Sequence, residues 1–268
     1  MSWILLTNDD GAESPALVPT ARALGRLGEV RVVVPASERS WVGKALTRHA
    51  PVEVARIERD GLEIWTCTGY PADTVQVAVH ALFDEPPRLV VSGINVGYNH
   101  GAGFVMSSGT VGAAAEAWTA GLPAVAVSTG TVAGDWPEWR RFVHSPEAAV
   151  GWARLADTAV DVVGDVVASG LASAADVVSV NLPFDAGPET PRRITEVART
   201  GYGAVFRGDG DGRFVHGFGG DLVPFAPLDG TDVDAAHRGW ISITPLRLPV
   251  AAPVDDELRR RLEAPPGR

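Results

Sequence analysis

Short apolar runs alternate with amphipathic segments along most of the chain. Residues 3–7 and 30–34 are mainly apolar, as strands covered on both faces of a sheet are. Residues 15–26 carry apolar side chains at helical spacing, and Pro15 suits a first helical turn. We therefore predict a strand, a helix and a second strand at the start of the chain.

The alternation continues to about residue 190. Residues 52–57 and 62–66 flank Arg59-Asp-Gly61 and predict a hairpin. Further helices are predicted over 71–82, 109–120 and 146–168, and further strands over 89–91, 124–128 and 177–182. Strands that alternate with helices imply right-handed crossovers. The predicted fold class is α/β with a mostly parallel sheet.

The pattern changes after residue 190, where short β-type fragments and glycine clusters replace the helical segments. The fragments are Tyr202–Phe206, Arg213–Phe218 and Trp240–Thr244, and a short terminal helix is predicted from Asp255. We expect residues 1–190 to form the α/β core. Residues 191–268 are expected to form a β-rich extension of the same domain, because no linker separates the two parts.

Composition narrows the class of protein. With 46% hydrophobic and 21% charged residues, the 268-residue chain is globular rather than disordered. No apolar run approaches the ~20 residues of a membrane-spanning helix. The start of the chain lacks signal-peptide features, and Cys67 is the only cysteine, so no intrachain disulfide can form. We expect a cytoplasmic protein without membrane contact.

Oxygen-bearing side chains follow three of the predicted strands. Asn8, Asp9 and Asp10 follow the strand over residues 3–7, and Ser37, Glu38 and Ser40 follow the strand over 30–34. Ser92, Asn95 and Asn99 follow the strand over 89–91. Ligands of open parallel sheets bind beyond these carboxyl ends. Paired carboxylates with Ser and Asn oxygens suit Mg²⁺, Mn²⁺ or Ca²⁺ rather than zinc. The alternative is that Asn8 and Asp9 only cap a helix or make an Asx turn.

A second candidate feature is Ser107-Ser-Gly-Thr110, which directly precedes a predicted helix rich in small residues. Backbone N–H groups and the dipole at a helix start favour an anion. This segment therefore predicts a phosphate-binding site on the same sheet edge. A simple serine N-cap is the alternative.

Charge and missing motifs exclude several functions. The net charge of −10 argues against binding to DNA, so a phosphate would have to be neutralised locally. The sequence has no Gly-x-Gly-x-x-Gly after a strand, no Walker A motif and no Gly-x-Ser-x-Gly motif, and its six histidines lack metal-binding spacing. Dinucleotide binding, triphosphate binding, serine hydrolysis and zinc binding therefore have no support.

Several motifs occur together in one known family. They are Ile4-Leu-Leu-Thr-Asn-Asp-Asp-Gly11, the loop from Arg39-Ser40 to Leu46-Thr47, and residues 69–73, 91–95, 108–110, 121–128, 181–183, 230–232 and 239–246. From residue 3 to about 247 the chain resembles the SurE family of 5'/3'-nucleotidases, the stationary-phase survival proteins. The resemblance implies a Rossmann-like three-layer sheet and hydrolysis of nucleoside monophosphates. It also implies one divalent cation per subunit, Mg²⁺ or Mn²⁺, with Ca²⁺ as a substitute in crystals.

The resemblance also implies roles for individual residues. The implied metal ligands are Asp9, Asp10, Ser40 and Asn95, and Asp9 and Asp10 are the implied catalytic residues, with Asp9 our choice of base. Contacts to phosphate or substrate are expected at Asn8, Asn99, Ser108, Gly109 and Thr110. In this family C-terminal extensions reach another subunit. We therefore expect a homodimer or a dimer of dimers, in which Phe206, Phe214 and Phe218 supply apolar contact area.

The chain departs from the family pattern mainly on the substrate side. Tyr70, Trp41 and Val42 occupy positions that are usually small or polar, and one residue is inserted between Asn99 and Ser108. Lys44, the only lysine in the chain, lies in the loop expected to border the metal. We hypothesise that its ammonium group contacts the substrate phosphate; a solvated loop residue is the alternative. Two other functions stay open: a phosphatase for a non-nucleotide monoester such as a sugar phosphate, and a non-catalytic nucleotide-binding regulator.

Overall fold

The computed structural model describes residues 3–132, 135–218, 222–248 and 255–263. The strands are β1 Ile4–Thr7, β2 Val30–Pro35, β3 Val54–Arg59, β4 Leu62–Cys67, β5 Leu89–Val96, β6 Ala124–Gly130, β7 Val177–Pro183, β8 Arg192–Ile194, β9 Thr200–Tyr202, β10 Phe206–Gly210, β11 Arg213–His216, β12 Leu222–Pro224 and β13 Ile241–Leu246. The helices are α1 Leu17–Leu24, α2 Pro71–Val77, α3 Gly101–Ser107, α4 Gly109–Thr119, α5 Trp136–Val143, α6 Ala149–Ala168, α7 Leu171–Ala174, α8 Asp232–His237 and α9 Asp256–Glu263. A π-helix, Ala78–Leu82, follows α2, and a 3-10 turn, Pro146–Ala148, precedes α6.

The main sheet has nine strands in the order β3-β4-β2-β1-β5-β6-β7-β13-β8. The six consecutive strands from β4 to β7 in this order are parallel to one another, as predicted for an alternating α/β chain. The chain runs outward from β1 in both directions, first to β2 and later to β5. The carboxyl end of β1 therefore lies at the switch in strand order, where open sheets bind ligands.

Two apolar layers cover the two faces of this sheet. Along β1, Ile4 and Leu6 belong to one buried cluster with residues of α1 and α6. Leu5, between them, belongs to the other cluster with residues of α2 and α4. Alternate side chains of a strand point to opposite faces, so β1 contributes to both layers. The structure confirms the three-layer α/β fold.

Most predicted elements are present, with four further helices in the described ranges that the sequence did not lead us to predict. The hairpin is confirmed as β3 and β4, joined through Asp60 and Gly61, both with positive φ. The strand predicted over 89–91 continues to Val96. The unpredicted helices are α3, α5, α7 and α8. In α3 only Gly101 is buried, whereas α5 carries Trp136, Trp139 and Val143 at helical spacing.

The segment after residue 190 adds both to the main sheet and to its surface. Strand β13 pairs antiparallel with β7, and β8 pairs parallel with β13 at the sheet edge. Strands β10 and β11 form a separate hairpin. The predicted terminal helix is present as α9. None of the helices in the described ranges has the length and apolar character needed to cross a membrane.

Candidate active site

The loop after β1 presents two adjacent carboxylates at the sheet edge. The Asn8 side chain is buried and forms two 3.0 Å hydrogen bonds with the backbone of Gly11, from Nδ2 to the carbonyl and from the Gly11 N–H to Oδ1. Both side-chain polar atoms of Asn8 therefore hold the loop. Helix α1 begins only at Leu17, so neither Asn8 nor Asp9 caps it. A direct contact from Asn8 to phosphate stays a prediction.

The start of α4 lies against Asp9. The Thr110 hydroxyl donates a 2.6 Å hydrogen bond to Oδ1 of Asp9, whose residue is only 5% exposed. Ser108 is the N-cap of the helix, because its Oγ accepts the N–H of Val111 at 3.0 Å. A Cβ atom at Gly109 would lie 2.8 Å from Cβ of Asp9, so only glycine allows this approach. The segment predicted to bind phosphate thus lies beside the carboxylate pair.

Strand β5 brings Asn95 to the other side of the pair. The backbone N–H of Val96 donates to Oδ2 of Asp10 at 3.1 Å. The pairing of β5 with β6 shifts register between Ser92 and Asn95, an irregularity of the kind that re-aims side chains at strand ends. Nδ2 of Asn95 donates to the carbonyl of Gly97 at 2.6 Å, so its Oδ1 is the atom suited to a cation.

The two carboxylates raise each other's cost of ionisation. Burial raises the pKa of Asp9, although the Thr110 hydroxyl partly offsets this rise. Burial and then the charge of Asp9 raise the pKa of Asp10. Both shifts have the direction expected of like charges in a desolvated site. A cation bound between the carboxylates would remove this cost, which is the electrostatic condition for a metal site.

Ser40 is linked to Glu38, which the sequence places after the same strand, and through it to Arg140, which no motif indicated. Its Oγ donates to Oε1 of Glu38 at 2.7 Å, and Nη2 of Arg140 on α5 donates to both Glu38 oxygens at 3.0 and 2.9 Å. With its proton directed to Glu38, Ser40 keeps lone pairs for a cation. Glu38 and Arg140 are 102 positions apart, so no local spacing could have indicated their contact.

Helix α5 also brings Trp136 to this part of the molecule. A Cβ atom at Gly97 would lie 3.3 Å from Cη2 of Trp136. Gly97 is the residue whose carbonyl accepts the Asn95 amide. One unpredicted helix therefore contributes both an aromatic ring and a guanidinium group near the predicted metal ligands.

Asn99 lies in a buried hydrogen-bond network between strand ends. Its Nδ2 donates to Oγ of Ser128 at 2.9 Å, and its backbone N–H donates to Oδ1 of Asn181 at 2.9 Å. These bonds tie the loop after β5 to β6 and β7. The structure therefore gives Asn99 a positioning role, and a substrate contact stays a prediction.

Lys44 has a partner within the chain, and its contact with a substrate phosphate stays a prediction. Its ammonium group pairs with Glu116 on α4, whose side chain is only 3% exposed and also accepts from Gln76. The Gly43 N–H donates to the carbonyl of Ser107 at 2.9 Å, which holds the loop against the start of α4. Lys44 is thus not a free loop cation. Its observed ion pair is with Glu116 and not with Asp9 or Asp10. Burial opposes ionisation of Glu116, but Lys44 and Gln76 outweigh it and lower its pKa.

The donor atoms fit a hard divalent cation. Asp9, Asp10, Ser40 and Asn95 would supply two carboxylates, a hydroxyl and an amide oxygen from three adjacent strand ends, which is a set that suits Mg²⁺ or Mn²⁺. In the described ranges no group of three or more His, Cys, Asp or Glu side chains is placed to hold a metal. Fold and site together define a Rossmann-like α/β protein with a paired-carboxylate, all-oxygen site at the switch point of its sheet.

Comparison with known proteins agrees with this class. The family model described as survival protein SurE matches residues 4–204. The chain therefore belongs to the SurE family.

Relatives match over nearly the whole chain. A protein of Methanocella arvoryzae named 5'-nucleotidase SurE is 38% identical over 93% of both chains. A protein of the same name from Pelobacter propionicus is 39% identical over 91% of this chain and 93% of its own. The crystal structure of the SurE protein from Aquifex aeolicus matches with a TM-score of 0.76 at 29% identity, covering 98% of this chain and all of that one.

Proposed function

We propose that this protein is a divalent-metal-dependent phosphomonoesterase that hydrolyses nucleoside 5'- and 3'-monophosphates to nucleoside and phosphate. The observation that carries the proposal is the contact between the buried Asp9–Asp10 pair and the start of α4. This contact supports the proposal because two carboxylates suited to a cation lie next to a helix terminus that favours an anion. The names of the relatives, 5'-nucleotidase SurE, support the nucleotide as the substrate.

Asp9, Asp10, Ser40 and Asn95 would hold one Mg²⁺ or Mn²⁺ ion in each subunit. When bound, the ion supplies Lewis acidity toward a phosphate oxygen and lowers the pKa of water. Glu38 accepts the Ser40 proton and so directs the Ser40 lone pairs to the ion, and Arg140 holds Glu38 in place.

The chain's own residues perform the remaining steps. Asp9 accepts the proton of the attacking water as general base. The Thr110 hydroxyl holds Oδ1 of Asp9 and so orients the carboxylate. The start of α4 stabilises the negative charge that the phosphoryl oxygens carry in the transition state.

A panel of substrates tests this function. Phosphate release is measured from 5'- and 3'-nucleotides and from sugar phosphates, each with Mg²⁺, with Mn²⁺ and with excess EDTA. We expect nucleotides to be the best substrates and EDTA to abolish release. Full activity in EDTA would refute the metal site, and nucleotide binding without metal-stimulated release would identify a regulator.

One observation favours a second substrate class. Trp41 follows the predicted ligand Ser40 and makes edge-to-face contacts with Phe104, Tyr202 and Phe218, with ring centroids 5.1 to 5.7 Å apart. An aromatic cluster in this loop changes the surface that meets the leaving group of the ester. A sugar phosphate or another non-nucleotide monoester that outperforms every nucleotide in the panel would establish this alternative.

A further inference from the structure

A surface cavity of about 390 Å³ lies beside the carboxyl ends of β2 and β4 and includes none of the predicted metal ligands. Six of its lining residues have side chains with cationic or hydrogen-bonding groups: Arg39, Thr47, Arg48, His49, Thr68 and Tyr70. None of the described residues that line it is acidic, although the chain has a net charge of −10. We call it the basic cavity. Such a local excess of basic groups on an acidic protein indicates an anionic ligand.

The guanidinium group of Arg39 forms part of the cavity wall. Its Nη2 donates to the carbonyl of Thr68 at 3.0 Å, and the group lies 5.6 Å from the ring centroid of Tyr70. Its Nε is buried and has no hydrogen-bond partner among the described residues. A buried charged N–H without an acceptor is costly, and an anion is the ligand that offsets this cost. Guanidinium groups match the oxygens of phosphate in particular.

The cavity wall is held in place by a buried carboxylate. Asp73 accepts hydrogen bonds from the backbone N–H and the hydroxyl of Thr47 and from the backbone N–H of Tyr70, at 2.6 to 3.2 Å. These bonds join the two lining segments, residues 46–50 and 68–70. A ligand would therefore meet a preformed site and lose little affinity to ordering of the wall.

The basic cavity adjoins the candidate active site without being part of it. The backbone N–H of Arg39 donates to the carbonyl of Asp9 at 2.7 Å. Pro71, next to Tyr70, lies 3.1 Å from where a Cβ atom of Gly109 would be. The segments that contain Arg39 and Tyr70 therefore line the basic cavity and also adjoin the candidate active site.

We propose that the basic cavity binds the phosphate group of a small molecule, at a site separate from the Asp9–Asp10 pair. The guanidinium groups of Arg39 and Arg48 neutralise the phosphate, and the His49 ring adds a hydrogen-bonding group. The ligand is either free phosphate, which is the product of the proposed reaction, or an intact phosphate ester.

Binding in excess EDTA tests the proposal, since the metal-free Asp9–Asp10 pair repels anions. Inorganic phosphate and 5'-AMP are titrated calorimetrically against the full chain at pH 7. The variants are Arg48→Ala/His49→Ala, whose positions are exposed, and Arg154→Ala, which removes a charge from the exposed face of α6. We expect one phosphate per chain in wild type and in Arg154→Ala, and at least tenfold weaker binding in the double variant.

Several outcomes decide the proposal. No saturable binding to wild type, or unchanged affinity in the double variant, would overturn it. Equal affinity for the two probes identifies free phosphate as a sufficient ligand, whereas tighter binding of 5'-AMP identifies an ester; both support the site. Hydrolysis of 5'-AMP in Mg²⁺ is measured in parallel. In wild type, hydrolysis of 5'-AMP without saturable phosphate binding in EDTA refutes this proposal alone, and binding without hydrolysis refutes only the proposed function.

Discussion

Burial lowers the pKa of His100 below that of a solvent-exposed histidine. The residue precedes α3, and its ring stacks on Tyr98 with centroids 4.9 Å apart. Its Nδ1 is buried without a hydrogen-bond partner in the described ranges. Burial, with a smaller contribution from His237, lowers the pKa of His100 to about 4, from an ordinary value of 6.5. The ring is therefore neutral in the folded protein at neutral pH.

This lowered pKa predicts a loss of stability in acid. The unfolded chain binds a proton at His100 below about pH 6.5, but the folded chain does so only near pH 4. Between these values acid favours unfolding by up to about 3 kcal/mol. His100→Phe keeps a ring against Tyr98 and removes the titration. The difference in unfolding free energy between wild type and variant should thus change by this amount from pH 7 to 4, measured by urea denaturation.

Carboxylates titrate in both proteins, so the comparison isolates His100. His80→Phe, at an exposed position, is the control for the added phenylalanine. A constant difference between wild type and His100→Phe across this pH range would contradict the burial argument.

The ion pair of Lys44 with Glu116 leads to a second prediction. Lys44→Met leaves a buried carboxylate without its cationic partner, so we expect a loss of about 1–3 kcal/mol of unfolding free energy. Adding Glu116→Gln should recover most of it, because the buried charge is then gone. Thermal or urea denaturation measures both effects. If Lys44→Met instead raises KM for 5'-AMP without changing stability, the phosphate contact predicted from the sequence is correct.

At the scale of elements, the start of α4 sets the geometry of the site. Gly109→Ala would place a methyl group 2.8 Å from Cβ and 2.9 Å from Oδ2 of Asp9. A displacement of Asp9 by even ~1 Å should lower kcat/KM about 100-fold. The control is Gly164→Ala in α6, where a Cβ atom would meet only Leu27, at 3.5 Å. It should keep full activity and add up to about 1 kcal/mol of stability. Equal activity of the two variants would show that α4 does not position Asp9.

The elements also show what the sequence could predict. The strand ends bearing Asp9, Asp10 and Asn95 were predictable. A buried parallel strand is a short apolar run in the sequence, and the polar residues that follow it mark its end. Helix α5 was not predicted, although Asp135 caps its start and Trp136, Trp139 and Val143 recur at helical spacing. The contact between Arg140 of this helix and Glu38 depends on the folded positions of distant segments. The partner of Lys44 was missed for the same reason.

At the scale of the whole molecule, the β10–β11 hairpin divides its aromatic residues between two surroundings. Phe218 and His216 pack against Trp41 of the same chain, with centroids 5.3 and 5.2 Å away. The fold therefore uses Phe218 internally, where the sequence analysis assigns it to a subunit contact. Phe206 and Phe214 are 59% and 69% exposed. Adjacent exposed phenylalanines on a two-stranded hairpin are typical of a surface that binds another protein.

We propose that these two phenylalanines join subunits in a homodimer or a dimer of dimers. Light scattering at micromolar concentration should give two or four times the mass of one chain. Phe206→Ser/Phe214→Ser should give single chains, because the apolar contact area is lost. Val150→Ser, at an exposed position on α6, is the control and should leave the assembly intact. A monomeric wild type, or an unchanged assembly in the double variant, would contradict the proposal.

The central claim is that the Asp9–Asp10 pair holds a cation needed for hydrolysis of a phosphate ester. The most direct measurement is phosphate release from 5'-AMP by wild type and by Asp10→Asn, each in Mg²⁺ or Mn²⁺ and in excess EDTA. The substitution removes a charged ligand and relieves repulsion from Asp9, so the variant should stay folded. We predict that it is at least ~100-fold slower with metal and that both proteins are inactive in EDTA. A variant as fast as wild type, or wild-type release that persists in EDTA, would contradict the claim.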